Sequence, residues 1–280
     1  MIPRSWAISV LTLALVAPAP GQEQSRSTSS LNDIQKAVQR DPGNPRLYVK
    51  LGLAYWEQND YAHALAAFQQ AVKVGPSSAE AHNWLGVAIM EKADLPGAIA
   101  EFRKAVALDP GNSRAQSNLG SALAKSGETS EAVEVFQKAL ALEPDSLPAH
   151  MNLGVALREK GDADAALVHI RLVARAEPRN ASVQYELAQT LRQNGDNRGA
   201  IEAFEKSVQI DPELREGYYG LGLALKKESA LQPRAGAPPE SPADALFRQA
   251  QESASRGDFD AAKEQLTQAL NLDDRNADAV

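Results

Sequence analysis

A single spacing recurs along most of this sequence. Two series of residues, one of prolines and one of small residues, both repeat every 34 positions. The prolines are Pro42, Pro76, Pro110, Pro144, Pro178 and Pro212, and the small residues are Gly52, Gly86, Gly120, Gly154, Ala188 and Gly222. Two independent series with one period indicate an array of structural repeats, in which each unit packs mainly on its neighbours.

Within one period, the sequence predicts two helices. In the first full unit, Tyr48, Leu51, Gly52 and Tyr55 have the three- and four-residue spacing of one helix face. A second face follows at Ala64, Phe68 and Ala71. The proline after each second face ends that helix, because proline lacks a backbone N–H and clashes with the preceding turn. We therefore predict an all-α chain without strands.

The same pattern continues through five full units, each with Leu-Gly or Leu-Ala in its first helix and a proline after its second. These motifs resemble the tetratricopeptide repeat family over about residues 31–227. The resemblance implies a right-handed superhelical solenoid of antiparallel helix hairpins. It also implies a concave wall that is built from the first helices.

The two ends of the chain depart from the repeat. Arg4, the eleven-residue apolar run 6–16 and the small residues up to Gly21 are typical of a secretory signal peptide at residues 1–21. An uncleaved anchor helix is the alternative, although a spanning helix needs roughly 20 apolar residues.

We predict a disordered lead-in at 22–30 and the array at 31–228, as a half repeat, five full repeats and a capping helix. A proline-rich linker at 229–242 precedes one more hairpin and the start of a further repeat at 243–280.

The composition argues against several classes of function. The formal net charge is -7 and no run of Lys or Arg occurs, so the chain lacks the basic face of a nucleic-acid-binding protein. It has no cysteine, which excludes disulfides, thiolate metal sites and cysteine nucleophiles. His82 and His150 occupy the aromatic position of their first helices and are predicted to pack there. No sequence motif of a nucleophile, phosphate or dinucleotide site is present. We therefore expect no catalytic residue, metal or cofactor.

The candidate site is the concave wall that the resemblance implies. Asn118 and Asn152 immediately precede Leu-Gly in successive units, and an amide both donates and accepts hydrogen bonds. This pair looks like the asparagine ladder in the repeat domain of protein O-GlcNAc transferases; two solvated asparagines are the alternative. The equivalent positions of the other units hold Lys50, Trp84, Glu186 and Gly220. The predicted peptide-binding residues are Asn118, Asn152, Trp84, Asn83, Lys50, Met151, Tyr185, Arg114 and Tyr219.

The sequence favours a non-catalytic scaffold that binds an extended peptide segment of a partner protein. The signal-peptide pattern places this scaffold in the periplasm or outside the cell, without a membrane span after cleavage. The alternative is the recognition arm of a larger enzyme, a glycosyltransferase or a peptidase, whose catalytic part lies beyond Val280. The helix pattern that begins again at Ala277 motivates this alternative.

The N-terminal pattern makes a testable prediction. In a bacterium with an intact secretion pathway, we expect the chain to be shortened near Gly21, because Ala19 and Gly21 supply the small residues that a signal peptidase requires. Mass spectrometry of the mature N-terminus measures this directly. A soluble cytoplasmic product that retains Met1 would contradict the signal-peptide assignment.

Overall fold

A computed structural model describes residues 31–231, 242–256 and 258–277 of the chain. In these ranges the protein forms fourteen α-helices and no strand, so the predicted all-α fold is confirmed. The helices are α1 (Leu31–Arg40), α2 (Pro45–Glu57), α3 (Tyr61–Val74), α4 (Ala79–Glu91), α5 (Leu95–Leu108), α6 (Ser113–Ser126), α7 (Thr129–Leu142), α8 (Leu147–Lys160), α9 (Ala163–Ala176), α10 (Ala181–Asn194), α11 (Asn197–Ile210), α12 (Arg215–Leu231), α13 (Pro242–Ser255) and α14 (Phe259–Ala277).

The chain divides into two compact units, which meet in sequence after Ala156. In the first unit, α2 packs on α3, α4 on α5, and α6 on α7. The first two of these hairpins also contact the first helix of the next, through α3 on α4 and α5 on α6. Helix α1 packs on α2, as its predicted half-repeat role requires. In the second unit, α10 packs on α11 and α13 on α14, and α12 contacts α10, α11, α13 and α14.

The turn after each first helix contains one residue with a positive φ angle. In the later units this residue is Gly127, Gly161 or Gly195, with φ between 88° and 98°. In the first two units it is Asn59 or Ala93, with φ of 60° and 61°. Glycine adopts this left-handed conformation without a Cβ conflict, and it commonly ends a helix in this way. The five turn residues are again 34 positions apart, so the turns after α2, α4, α6, α8 and α10 fall at the same point of the repeat.

The loop before a first helix is held by a recurring side-chain contact. His82 Nε2 lies 2.9 Å from the carbonyl oxygen of Pro76, and His82 Nδ1 lies 2.6 Å from the Glu101 carboxylate. The equivalent pairs are Gln116 with Pro110 at 3.4 Å, His150 with Pro144 at 2.9 Å and Gln184 with Pro178 at 3.3 Å. Both ring nitrogens of His82 thus contact protein groups within a buried environment. This geometry agrees with the predicted packing role.

The core repeats one contact between glycine and phenylalanine. A Cβ atom built on Gly52 would lie 2.4 Å from the ring of Phe68, which is completely buried. The same contact joins Gly86 to Phe102 at 2.7 Å and Gly120 to Phe136 at 2.6 Å. The small residue of the first helix therefore makes room for an aromatic ring of the second helix, sixteen positions later in the chain.

The ends of the array differ from the sequence prediction in detail. Helix α12 continues to Leu231, so it includes the first residues of the predicted linker. Helix α14 continues to Ala277, through the point where earlier repeats have Asp-Pro and this one has Asp273-Asp274. Without a proline, nothing in the local sequence forces the helix to end there. The predicted signal peptide and lead-in, and residues 232–241 of the linker, lie outside the described residues.

Two glycines at the same repeat position provide a matched test of the core. Gly120→Ala should lower the free energy of unfolding by about 1–3 kcal/mol, because its Cβ would overlap the buried Phe136 ring. Gly222→Ala should leave it unchanged or raise it by up to about 1 kcal/mol, since alanine favours helix and a Cβ there meets nothing within 4 Å. Urea unfolding followed by circular dichroism measures both. Equal destabilisation of the two variants would contradict the assigned packing.

Candidate functional site

In the first unit, the two ladder asparagines open onto one groove. Asn118 lies on α6 and Asn152 on α8, and both line a groove of about 110 Å³. Short polar side chains dominate its remaining surface: Ser113, Arg114, Ser117, Ser121, Glu143 and Ser146, together with Ala139, Pro148 and Ala149. Ser113 Oγ donates a hydrogen bond to the Glu143 carboxylate. Arg114 is exposed and is the cation among these groove residues. The structure thus brings Asn118, Asn152 and Arg114 together, as the sequence analysis grouped them.

The amide of Asn118 is partly used within the protein. Its Nδ2 donates to Asn83 Oδ1 at 2.9 Å, which links α6 to α4. Asn83 is buried, and Asn118 is 9% exposed. The Asn118 oxygen and its second N–H remain available toward the groove. Asn83 and Asn118 therefore form a bridge between the neighbouring first helices α4 and α6.

The amide of Asn152 is the more available of the two. Its side chain is half-buried on the groove surface. Among the described residues it makes no side-chain hydrogen bond, so its two donors and its acceptor remain open. Half-buried amides of this kind can bind a partner without first losing an internal contact.

Trp84 has a structural role in addition to its predicted one. Its ring stacks on that of Phe68, with centroids 6.0 Å apart and an interplanar angle of 14°. The equivalent residue of α12 is Gly220, whose Cβ would lie 2.3 Å from the Phe204 ring. At these two positions, the residue before Leu-Gly packs on the aromatic residue of the preceding hairpin. The wall position is therefore only partly free to contact a partner.

The other predicted residues are distributed over both units. In the first unit, Lys50 is exposed on α2 and Met151 is half-buried on α8. In the second unit, Tyr185 lies on α10 and contacts the Phe204 ring edge-to-face at 5.8 Å. Tyr219 is exposed on α12. None of these four lines the groove between α6 and α8.

The second unit contains a buried ion pair on the same series of first helices. Arg158 Nη2 lies 2.8 Å from Glu186 Oε2, and the Glu186 side chain is only 4% exposed. The Arg158 Nε atom is buried and has no hydrogen-bond partner among the described residues. Burial raises the pKa of Glu186, although the charge and hydrogen bond of Arg158 act in the opposite direction. Burial likewise raises the pKa of the neighbouring Glu159.

A chain of hydrogen bonds continues along α10. Gln189 Nε2 donates to the hydroxyl of Tyr185 at 2.7 Å, and Arg192 Nη2 donates to Gln189 Oε1 at 2.8 Å. Burial raises the pKa of the Tyr185 hydroxyl above its ordinary value, so it stays protonated near neutral pH. Together with the ion pair, these bonds fix the side chains of the wall in the second unit.

The described part of the chain has neither a metal-binding cluster nor a membrane-spanning helix. It holds no cluster of three or more His, Asp or Glu side chains arranged to bind a metal ion. None of the described helices combines the length and the apolar character that crossing a bilayer requires.

Comparison with known families agrees with the repeat structure. Models described as tetratricopeptide repeat match residues 22–66, 49–113, 89–150, 123–190 and 243–276, and a model described as TPR repeat matches residues 188–228. The chain belongs to the tetratricopeptide repeat family. Its repeat architecture is that of a protein-interaction scaffold.

Solved structures with the same fold share little sequence with this chain. YrrB, described as a TPR protein with an unusual peptide-binding site, is 23% identical with a TM-score of 0.59, over 71% of this chain and 99% of YrrB. MamA is 22% identical with a TM-score of 0.53, over 69% and 98%. PilF from Pseudomonas aeruginosa is 23% identical with a TM-score of 0.56, over 84% and 93%. The comparison with curated proteins gave no match.

The Arg158–Glu186 pair was not predicted from the sequence, although Glu186 was placed at the wall position equivalent to Asn118 and Asn152. Their separation of 28 residues is six fewer than one repeat, so the pair joins the last turn of α8 to the first half of α10. Arg103 and Glu131 are joined across the same separation at 2.9 Å, on α5 and α7. An arginine followed 28 positions later by a glutamate is therefore the sequence signal that could have revealed the pair.

The raised pKa of Glu186 predicts a pH-dependent stability. A carboxyl whose pKa is higher in the folded chain favours folding when protonated, and that contribution is lost as pH rises through the folded pKa. Glu186→Gln stays neutral at every pH. The free energy of unfolding of the wild type, minus that of this variant, should therefore fall as the pH rises from the ordinary pKa of a glutamate, about 4.3, through the raised pKa of Glu186.

Urea unfolding at several pH values measures this difference. Glu202→Gln removes an exposed carboxyl on α11 and serves as the control for the loss of one negative charge. A difference for Glu186→Gln that rises with pH would mean that the attraction of Arg158 outweighs the cost of burial.

Proposed function

We propose that this scaffold binds an extended peptide segment of a partner protein in the groove between α6 and α8. The observation that supports this most directly is the pair Asn118 and Asn152, which occupy one repeat position and line one groove. Each amide offers donors and an acceptor that match the N–H and C=O groups of a peptide backbone. The chain itself supplies no chemistry to the bound segment.

The chemistry of the groove favours contacts to the peptide backbone over contacts to large side chains. Its volume of about 110 Å³ is small, and its surface carries hydroxyls and amides in place of apolar pockets. Such a surface can bind segments of varied sequence, because every peptide presents the same backbone groups. Arg114 at the rim adds a preference for a carboxylate or a phosphate close to the bound segment.

A comparison with a solved structure supports this assignment. YrrB shares the fold, and it is described as having a peptide-binding site, which makes peptide the first class of ligand to test.

We also propose that the scaffold acts in the periplasm or outside the cell. This localisation rests on Arg4, the apolar run 6–16 and the small residues that end at Gly21.

The test begins by selecting a binding peptide from a random 12-residue display library against the full chain. Its affinity is then measured by calorimetric titration for the wild type and for Asn118→Ala/Asn152→Ala. A hydrogen bond contributes roughly 0.5–1.5 kcal/mol net, so losing both amides should weaken binding about tenfold or somewhat more. Asn152→Ala alone should weaken it about threefold while keeping the Asn118–Asn83 bond intact.

Gln69→Ala/Gln137→Ala is the matched control. It removes two exposed amides from the second helices α3 and α7, and it should leave the affinity unchanged. A second measurement uses selected peptides methylated on single backbone nitrogens, which should bind more weakly at the nitrogens that face the groove. Affinity that is indifferent to both Asn substitutions and to backbone methylation would reject this groove as the peptide site.

A further inference from the structure

The outer face of α9 differs from the same face of the other second helices. Val168 is 68% exposed and Leu172 is 41% exposed, one helical turn apart. At these two repeat positions, the neighbouring hairpins carry exposed charged pairs. They are Glu134 and Lys138 on α7, and Glu202 and Lys206 on α11. Of α7, α9 and α11, α9 alone has branched apolar residues at these two solvent-facing positions. An exposed apolar pair of this kind is typical of a docking surface.

Charged residues flank this apolar pair in a defined pattern. Val168 and Leu172 line a groove of about 720 Å³ in the second unit, together with Asp164, Arg171 and Arg175 of the same helix. Neither arginine pairs with a carboxylate among the described residues. In a chain with a net charge of -7, this face therefore presents two unpaired cations and one anion beside exposed apolar groups.

We propose that this face binds the same face of a second copy of the chain, with the two α9 helices antiparallel about a twofold axis near residue 170. The five residues share one side of the helix, because they recur at intervals of three, four and seven. The axis places Val168 opposite Leu172 of the second copy. It also places Asp164 opposite Arg175 of the second copy, and each contact occurs twice.

The placement of Asp164 near one end of this face and Arg175 at the other is the reason for assigning a second copy to this surface. The attraction of these two pairs has to outweigh the repulsion between the two Arg171 side chains, which lie near the axis. A helix that packs antiparallel on α9 needs an anion to face Arg175, a cation eleven residues later to face Asp164, and apolar residues between the two. Helix α9 has this pattern itself, with Asp164, Val168, Leu172 and Arg175. Asp164 Oδ1 accepts a hydrogen bond from Asn194 at 2.6 Å, which orients the carboxylate and leaves its second oxygen for Arg175. The same face of α7 or α11 has no exposed apolar pair and cannot replace it.

The size of the surface sets the expected affinity. Stable interfaces bury about 800 Å² per partner, which is more than one face of a 14-residue helix supplies. The dimer should therefore be weak and concentration-dependent. It uses none of the residues of the groove between α6 and α8, so either proposal can fail without the other.

Sedimentation equilibrium of the full chain, from about 1 to 300 μM, tests the proposal. Val168→Glu/Leu172→Lys copies the pair that α7 and α11 already carry, so it should fold normally and stay monomeric throughout. Ala66→Glu/Gln70→Lys introduces the same charges at the same positions of α3 and is the matched control. It should dimerise as the wild type does, and circular dichroism should show equal helicity for all of them.

A charge exchange tests the antiparallel arrangement itself. Asp164→Arg and Arg175→Asp each place like charges opposite one another twice, and each alone should weaken the dimer at least about tenfold. A mixture of the two single variants should form a heterodimer with nearly the wild-type affinity, since each supplies the charge that the other has lost. A wild type that remains monomeric, or a dimer indifferent to the Val168 and Leu172 changes, overturns the proposal. A monomer that binds a synthetic acidic amphipathic helix at this face would assign the surface to a different partner.

Discussion

The contact between a phenylalanine ring and the glycine of the facing helix determines the spacing of this array. At Gly52, Gly86 and Gly120, even one methyl group would lie within 2.4–2.7 Å of a ring carbon. The rings cannot move away easily, because they are completely buried. Close-packed interiors transmit such a constraint, so the distance between the two helices of a hairpin is fixed by the smallest residue. Where the ring is missing after Gly222, the same glycine faces open space.

This packing also constrains the wall on which binding is proposed. The residue before Leu-Gly lies against the preceding hairpin, as Trp84 shows by stacking on Phe68. Some wall positions therefore stabilise the array as well as facing a possible partner. Asn118 meets both demands through its bond to Asn83, whereas the half-buried Asn152 keeps its amide open. A binding surface that is part of the packing is held rigid, which lowers the entropy lost when a peptide binds.

Much of the fold follows from the sequence, because the 34-residue period repeats the same physical solution. The bounds of α2 and α3 follow from Pro45, the turn at Asn59 and the end at Gly75. The site was harder to predict. A helix phase places Glu186 on the wall, but it does not show that Arg158 of the previous repeat reaches it and removes it from the surface. The ends of α12 and α14 were also misjudged, since a proline-rich stretch and an Asp-Asp pair limit a helix less sharply than Asp-Pro does.

The two units use the same wall positions for different purposes. In the first unit, Asn118 and Asn152 provide neutral hydrogen-bonding groups beside a groove. In the second, Glu186 takes the equivalent position and is enclosed with Arg158, at a cost that the raised pKa of Glu186 reflects. A buried ion pair of this kind adds little net stability, because removing two charges from water costs about as much as their attraction returns. Polar side chains in the first unit thus remain available for recognition, while those of the second are committed to holding adjacent repeats in register.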